Sequence, residues 1–344
     1  MQAVYVSGVA VSTTWADARF SLTDLIFDCV QKALADANIR AADLDAVVLG
    51  AHDVVDGRGL TSMVTAPAAA TYLKDETRLG EDGATAFVLG DARVRSGSVR
   101  TCLVAAWGRA SEGPVDRISN ALFDPFTTKP LGMTEVAVSG LRATQAIADY
   151  PSYSAERERA ATSRRSAPAD PSRVPAPPWP LRSAELPVWA DVVSATVLTS
   201  ERSPVEVRGV GMSTEPFDIG DRDLLGFPAL RQASSQALHG AGLDIGDVDI
   251  LELDGLTLFD DALALEAVGA AQRGQGMRAM ASELGVNTGG GSSAGYCAPA
   301  MGLVRIAHAY QRLIHEDATA ALATGSSVAA QNQAAVVLSH KRTP

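Results

Sequence analysis

The sequence predicts an α/β fold made of two repeated halves, and three observations predict it. The run from Val4 to Thr13, VYVSGVAVST, returns from Val205 to Thr214 as VEVRGVGMST, each alternating apolar residues around a glycine at the same place. A helical pattern and an acidic turn follow each run in the same register. Ala33, Leu34, Ala37, Asp43 and Asp45 correspond to Ala237, Leu238, Ala241, Asp247 and Asp249, a constant offset of 204 (237 − 33). The stretches that close these units, AVVLG and ILEL, are nearly all apolar, which suits strands buried on both faces of a sheet.

Taken in order, the first half reads strand (from Val4), helix (LTDLIFDCVQKALADANI) and apolar strand (to Gly50). A helix of small residues, EDGATAFVLGDARVRSG, and the strand VRTCLVAAWG come next. In the second half their counterparts are the helix APAMGLVRIAHAYQRL and the strand ATAALATGSS. Ala- and Gly-rich helices of this kind suit a layer between two sheets, where backbones approach closely. Residues 1–200 and 201–344 are therefore read as the two halves. Between them, about 112–186 holds much of the proline, as in SAPADPSRVPAPPWPLR, together with charge clusters such as SAERERAATSRRS. Proline at that density excludes central strands and long helices. A loop-rich excursion is expected, with short helices at about 135–150 and 154–165. A solvated insertion and a functional cover are both open readings of such a loop.

Composition narrows the function classes. The chain has 344 residues, 47% apolar but only 5% aromatic, so its core is built mainly of Ala, Val and Leu. A net charge of −11 argues against nucleic acid or an anionic membrane as partner, because both require a basic footprint. No apolar run approaches the roughly 20 residues of a membrane span. The start, MQAVYVSGVAV, lacks a basic region before its apolar stretch and reads as strand rather than signal peptide. Three cysteines far apart in sequence suit a reducing cytoplasm.

The stretch with most chemical character runs from Asn287 to Gly302, NTGGGSSAGYCAPAMG. Gly289, Gly290, Gly291 and Gly295 let backbone pass close to a ligand, and the loop runs into a helix N-terminus. It is neither G-x-x-x-x-G-K-[ST] nor G-x-G-x-x-G. In full, it resembles the C-terminal active-site loop of the thiolase superfamily, N-x-x-G-G…S-A-G-H-P-x-G-A-x-G, with Ser293, Ala294, Gly295 and Gly302 matching. DVVDGRGLTSMVTAPAAATYLKDETRLGEDGATAFVLGDARVRSG, PLRSAELPVWADVVSATVLTSE and LELDGLTLFDDALALEAVGAAQRG extend the resemblance over essentially the whole chain. Within the superfamily these strings are similar to the sterol-carrier-protein or lipid-transfer-protein type, an acetyl-CoA acetyltransferase-like group. The resemblance implies two βαβαβαββ halves in a five-layer αβαβα sandwich with two central helices.

The resemblance also locates four catalytic positions, and this chain departs at each. The nucleophilic cysteine of C-x-S-G-x-x-A falls on Gly80, and the oxyanion-hole residue falls on Leu253 of LDGLT. The catalytic histidine falls on Tyr296, with Cys297 at the following proline position. The second cysteine, of C-x-G-G-G, falls near Ser327, and its glycine triplet is also replaced. Claisen chemistry through an acyl-cysteine is thus not expected. Cys29 and Cys102 lie in apolar helix and strand patterns and read as core. Cys297 reads as packing, or as the one thiol placed to react. Lys74 is the only lysine in a family motif, and its charged neighbours favour a solvated or interface position over a Schiff base. His52, His239, His308, His315 and His340 have no metal-ligand spacing, and no metal is expected.

Tyr296 is the remaining candidate acid, since a phenol can protonate an enolate or donate to an oxyanion; a ring plugging an inactive pocket is the competing reading. Thiolase-like aldolases of steroid side-chain breakdown are similar here. They lack the cysteine, carry tyrosine in this loop, and cleave 3-hydroxyacyl-CoA by retro-aldol reaction beside an OB-fold, zinc-ribbon partner. Their second tyrosine falls on Leu253. Asp254 is a candidate to orient a group in the pocket, although the DG turn explains an aspartate there equally well. Two functions follow as expectations. One is a CoA-thioester C–C lyase, or acyltransferase, without a nucleophilic cysteine and with no cofactor beyond the acyl-CoA itself. The other is a silent thiolase-like subunit, in a homodimer or heterodimer with another thiolase-like chain or bound to an OB-fold partner.

Overall fold

In the computed structural model, which describes residues 2–15, 19–57, 59, 62–163, 176–282 and 285–340, the two halves meet through their first strands, β1 (Tyr5–Thr14) and β6 (Val205–Thr214). Met1, Arg58, Leu60, Thr61 and 164–175 of the proline-rich run, mentioned above, lie outside the described residues. The repeat has a packing cause. β1 and β6 each carry an irregularity in register just before Gly8 and Gly209, where the strand presses on a helix. A Cβ on Gly8 would sit 2.6 Å from Ala33 O of α1 (Leu22–Asp36), and one on Gly209 would sit 2.0 Å from Ala237 O of α8 (Pro228–Ala241). Bulge glycine and helix alanine form one contact, repeated in each half, which is why both recur in the sequence.

The first half continues through β2 (Ala46–Gly50), the short helices α2 (Asp53–Asp56) and α3 (Ser62–Thr65), β3 (Asp75–Leu79), α4 (Gly83–Arg95) and β4 (Thr101–Arg109). Helices α5 (Val115–Ala121), α6 (Glu135–Asp149) and α7 (Pro151–Ser163) precede β5 (Asp191–Thr199). After α8 the second half runs through β7 (Ile250–Glu252), α9 (Leu258–Ala267), α10 (Gly276–Met280), α11 (Met301–His315), β8 (Ala320–Ser326) and β9 (Asn332–His340). Strand order is β3-β2-β4-β5-β1-β6-β9-β8-β7. Each half thus places its first strand at the centre and its second near the rim, and Tyr5↔Glu206 and Val6↔Val205 pair across the junction, where Val207 N also donates to Val4 O at 2.8 Å.

Five layers result. One buried cluster lies between α1 and the outer face of the first sheet, where Val47, Leu49, Leu103 and Val197 point. The alternate residues Val48, Val104 and Leu198 join a middle cluster with α4, α11 and the strands of the second half. A third cluster lies under α8 and α9. The continuous apolar strands are therefore buried on both faces. Close approach of the central helices needs glycine: a Cβ on Gly83 would meet Leu303 Cβ at 2.7 Å.

Among the described residues of the second half, an isolated parallel bridge joins Leu251 to Val286. Asn287 follows at φ 47°, and its side chain continues the pairing: Oδ1 accepts from Leu253 N at 2.7 Å, and Nδ2 donates to Leu253 O at 3.0 Å. The excursion carries helices where they are expected, α6 and α7, and two of its prolines sit at helix starts, Pro114 capping α5 and Pro151 opening α7. It is also anchored. Arg157 makes a buried two-pronged pair with Glu185 at 2.7 and 2.6 Å and donates to Pro180 O at 2.9 Å. Helix α6 packs on α9, and α7 packs on α10.

Candidate active site

The loop 287–302 closes over the N-termini of both central helices. Gly290, Gly291 and Gly295 have φ of 105°, 59° and 133°, a region open to glycine at little cost. The returning end of the excursion holds it: Val188 N donates to Ser292 O, Tyr296 N to Val188 O, and Ala190 N to Tyr296 O, at 2.8–3.1 Å. Gly289 is exposed beside His308, and a Cβ on Gly291 would touch the Asn287 side chain. Among the predicted loop residues, Asn287 spends its amide on Leu253 and on Asp261 Oδ1 at 3.2 Å. It therefore shapes the loop rather than facing a ligand.

Tyr296 is buried, with its ring edge-on to Trp189 at 5.3 Å and 85°. It lines a cavity with Glu135, Arg142, Asp254, Asp260 and Ser326, which leaves about 20 Å³ of free space, room for a single water. Burial holds the phenol well above its ordinary pKa, and the charges of Glu135 and Asp254 add to the effect. The phenol therefore keeps its proton at neutral pH.

Asp254, the other predicted residue, borders the same cavity. Its Oδ2 accepts from Ser326 N at 3.0 Å and Ser326 Oγ at 3.2 Å, and its own N donates to Thr324 Oγ1 at 3.0 Å. Burial raises its carboxyl to about 6, against the pull of Arg305 and these hydrogen bonds. Asp82 is its electrostatic neighbour. It caps α4, accepting from Ala84 N at 2.7 Å, and also accepts from Gly302 N of α11 at 3.0 Å, so one carboxylate ties the two central helices together. Burial, and then the charge of Asp254, push Asp82 well above the usual carboxylate range.

Glu135, in the first turn of α6, was not singled out by the sequence, and neither were Asp82 and Arg142. Glu135 is 5% exposed and borders both the Tyr296 cavity and a second one lined by Val55, Trp189 and Cys297. Burial lifts it to about 7, opposed by a hydrogen bond from the Ala329 backbone. Ala329 and Ala330 stand where the family's glycines fall and keep left-handed φ values of 52° and 61°. Arg142 Nη2 at 2.8 Å and Arg222 Nη1 at 3.1 Å hold Ala329 O, and Arg142 Nη1 pairs with buried Asp260 at 3.0 Å. The only sequence signal for these groups was charge inside apolar helical runs, and that gains meaning only once α6 is known to lie over the second half.

The other family positions sit around the cavities without replacing what they lack. Gly80 lines a neighbouring space with His52, Glu81, Asp82 and Ser327. Leu253 is buried core. Ser327 accepts from Asn332 N at 2.9 Å and donates its own N–H to Asn332 O at 3.0 Å, closing the turn. Cys297 lies against Gly108, whose added Cβ would come within 2.4 Å of the sulfur, and burial raises its thiol strongly. Cys29 and Cys102 are core thiols pushed up to about 12. None of the three thiols is poised as a thiolate. Lys74 donates to Ala42 O and Leu44 O on the surface. Among the described residues no group of three or more His, Cys, Asp or Glu side chains could hold a metal.

A duplicated five-layer sandwich whose C-terminal loop covers two central helix N-termini is the thiolase fold. Residues 211–343 match the family model "Thiolase C-terminal domain-like". A chain of the structure described as the Ltp2-ChsH2(DUF35) aldolase superimposes with a TM-score of 0.79 at 18% identity, covering 100% of this chain and 99% of that one. Human mitochondrial 3-ketoacyl-CoA thiolase in complex with CoA gives 0.75 at 15%, covering 99% and 98%. No curated protein matches the sequence. Among the described residues no helix is long and apolar enough to cross a membrane.

Proposed function

We propose that this protein cleaves a C–C bond in a CoA thioester by a retro-aldol reaction that uses no cysteine nucleophile, in lipid or steroid side-chain breakdown. The observation that carries the reading is Tyr296. A buried phenol, kept protonated, faces a cavity walled by carboxyls at the loop position where thiolases keep their catalytic histidine. Retro-aldol cleavage leaves a thioester enolate, and Tyr296 is the donor that protonates it; Asp254, fixed by Ser326, orients groups in the pocket. The aldolase neighbour supports this reaction class, and the thiolase neighbour in complex with CoA supports CoA as the carrier. No cofactor is required. Three buried free cysteines suit the cytoplasm.

Turnover of a 3-hydroxyacyl-CoA tests the reading. Tyr296→Phe should lower kcat by about 10²–10⁴-fold with little change in binding, and turnover surviving that change would defeat it. One observation favours a second reading, a silent subunit beside an active thiolase-like chain or an OB-fold protein: the free space at Tyr296 holds only about 20 Å³. Acyl-CoA titration into the pure protein separates the two, since a silent subunit without a pocket gives no saturable binding. For assembly we propose pairing through β3. Among the described strands it is bonded only to β2, and the apolar Met63, Tyr72 and Leu73 on the connections leading to it are 75%, 79% and 85% exposed.

A further inference from the structure

We propose that Glu135 is the general base of this site, taking the proton of the substrate's 3-hydroxyl as the C–C bond breaks. The inference rests on the retro-aldol reading and supplies the group that reading lacks, since the second-tyrosine position of the similar aldolases is Leu253, a buried side chain without a titratable atom.

Placement argues for it first. Glu135 is the polar wall shared by two adjoining cavities, one holding Tyr296 and Asp254, the other Trp189 and Cys297. Among the described residues Glu135 is thus the one that borders both the Tyr296 cavity and the space beside it, the position a base acting one carbon away from Tyr296 requires. The residue is fixed at the start of its helix. Glu135 N donates to Ser119 Oγ at 2.9 Å, fixing the start of α6, and the Ala329 N–H binds the carboxylate from a turn kept in left-handed backbone. Such strain persists only where the surroundings enforce it, and here Arg142 and Arg222 enforce it through Ala329 O.

The competing carboxylates are committed elsewhere. Asp254 accepts two hydrogen bonds from Ser326, Asp260 is paired with Arg142, and Asp82 caps the central helices. The charged and titratable groups facing Glu135 are Asp254 and Asp260 from the second half, Arg142 from its own helix, and Tyr296 and Cys297 from the loop. Burial raises Glu135 to about 7, with Asp254 and Asp260 adding to it while Arg142 is directed at Asp260 and Ala329 O, which puts the carboxyl near neutrality, where a base works best. The proton count closes. Glu135 removes the hydroxyl proton, the O–H electrons form the new carbonyl, and the C2–C3 pair passes to the thioester enolate. Tyr296 then protonates C2; Glu135 gives its proton up to solvent water and the tyrosinate regains one from solvent, so neither refilling step needs the other group.

The experiment compares two reactions of the same protein: cleavage of a 3-hydroxyacyl-CoA, and exchange of the C2 protons of the acyl-CoA product in D₂O. Exchange needs Tyr296 but no hydroxyl base. Glu135→Gln should lose at least 100-fold in cleavage while exchange stays within threefold, and Glu135→Asp should restore part of the cleavage. Wild-type kcat/KM should fall below about pH 7, and the residual rate of the Gln variant should be flat there. Cleavage by Glu135→Gln within threefold of wild type would overturn the assignment, and so would parallel loss of cleavage and exchange. Wild-type protein inert in both reactions would overturn the retro-aldol reading itself.

Discussion

Single residues set the electrostatics of the site. Glu135, Asp254 and Asp82 are buried acids whose pKa values rise on folding, an arrangement that opposes ionisation and therefore opposes the fold at neutral pH. A carboxyl raised from 4.5 to about 7 stabilises fully below pH 4.5, and that contribution is lost as pH rises through 7. Glu135→Gln should accordingly be neutral at pH 4.5 and more stable than wild type at pH 8, by up to about 3 kcal/mol. Urea unfolding at the two pH values measures it, and a variant less stable at pH 8 than at pH 4.5, relative to wild type, would refute the burial argument. Natural proteins keep such destabilising groups chiefly at sites of function.

Elements carry the repeat. Gly209→Ala would force a methyl against the Ala237 carbonyl and should destabilise by about 3 kcal/mol, whereas Ala329→Gly relieves left-handed backbone and should be neutral or stabilising by about 1 kcal/mol. Thermal unfolding of both variants checks the pair. The strand–helix units were legible in the sequence because each glycine, alanine and aspartate of the repeat has a local job, and so was the Tyr296 loop. Two helices of the excursion, α6 and α7, were legible as well. Two things were not. The pairing of the Asn287 side chain with Leu253 was hidden because periodicity looks for such pairing in backbone. The anchoring of the excursion, Arg157 on Glu185 and α6 on α9, was hidden because it is non-local, and Glu135 entered the site only with that packing.

At the scale of the whole molecule, the scaffold encloses acid–base groups and holds its three sulfurs buried as thiols. β3 remains a free edge among the described strands, with exposed apolar side chains nearby. Sedimentation should therefore show a dimer that Tyr72→Glu with Leu73→Glu dissociates, and a monomeric wild type would remove that pairing proposal. The central claim, C–C cleavage without a thioester on cysteine, is tested most directly by intact mass spectrometry of the protein quenched while turning over a 3-hydroxyacyl-CoA. The account predicts cleaved thioester and carbonyl products with the protein at its unmodified mass. An acyl adduct on Cys29, Cys102 or Cys297 that forms and decays at the turnover rate would contradict it.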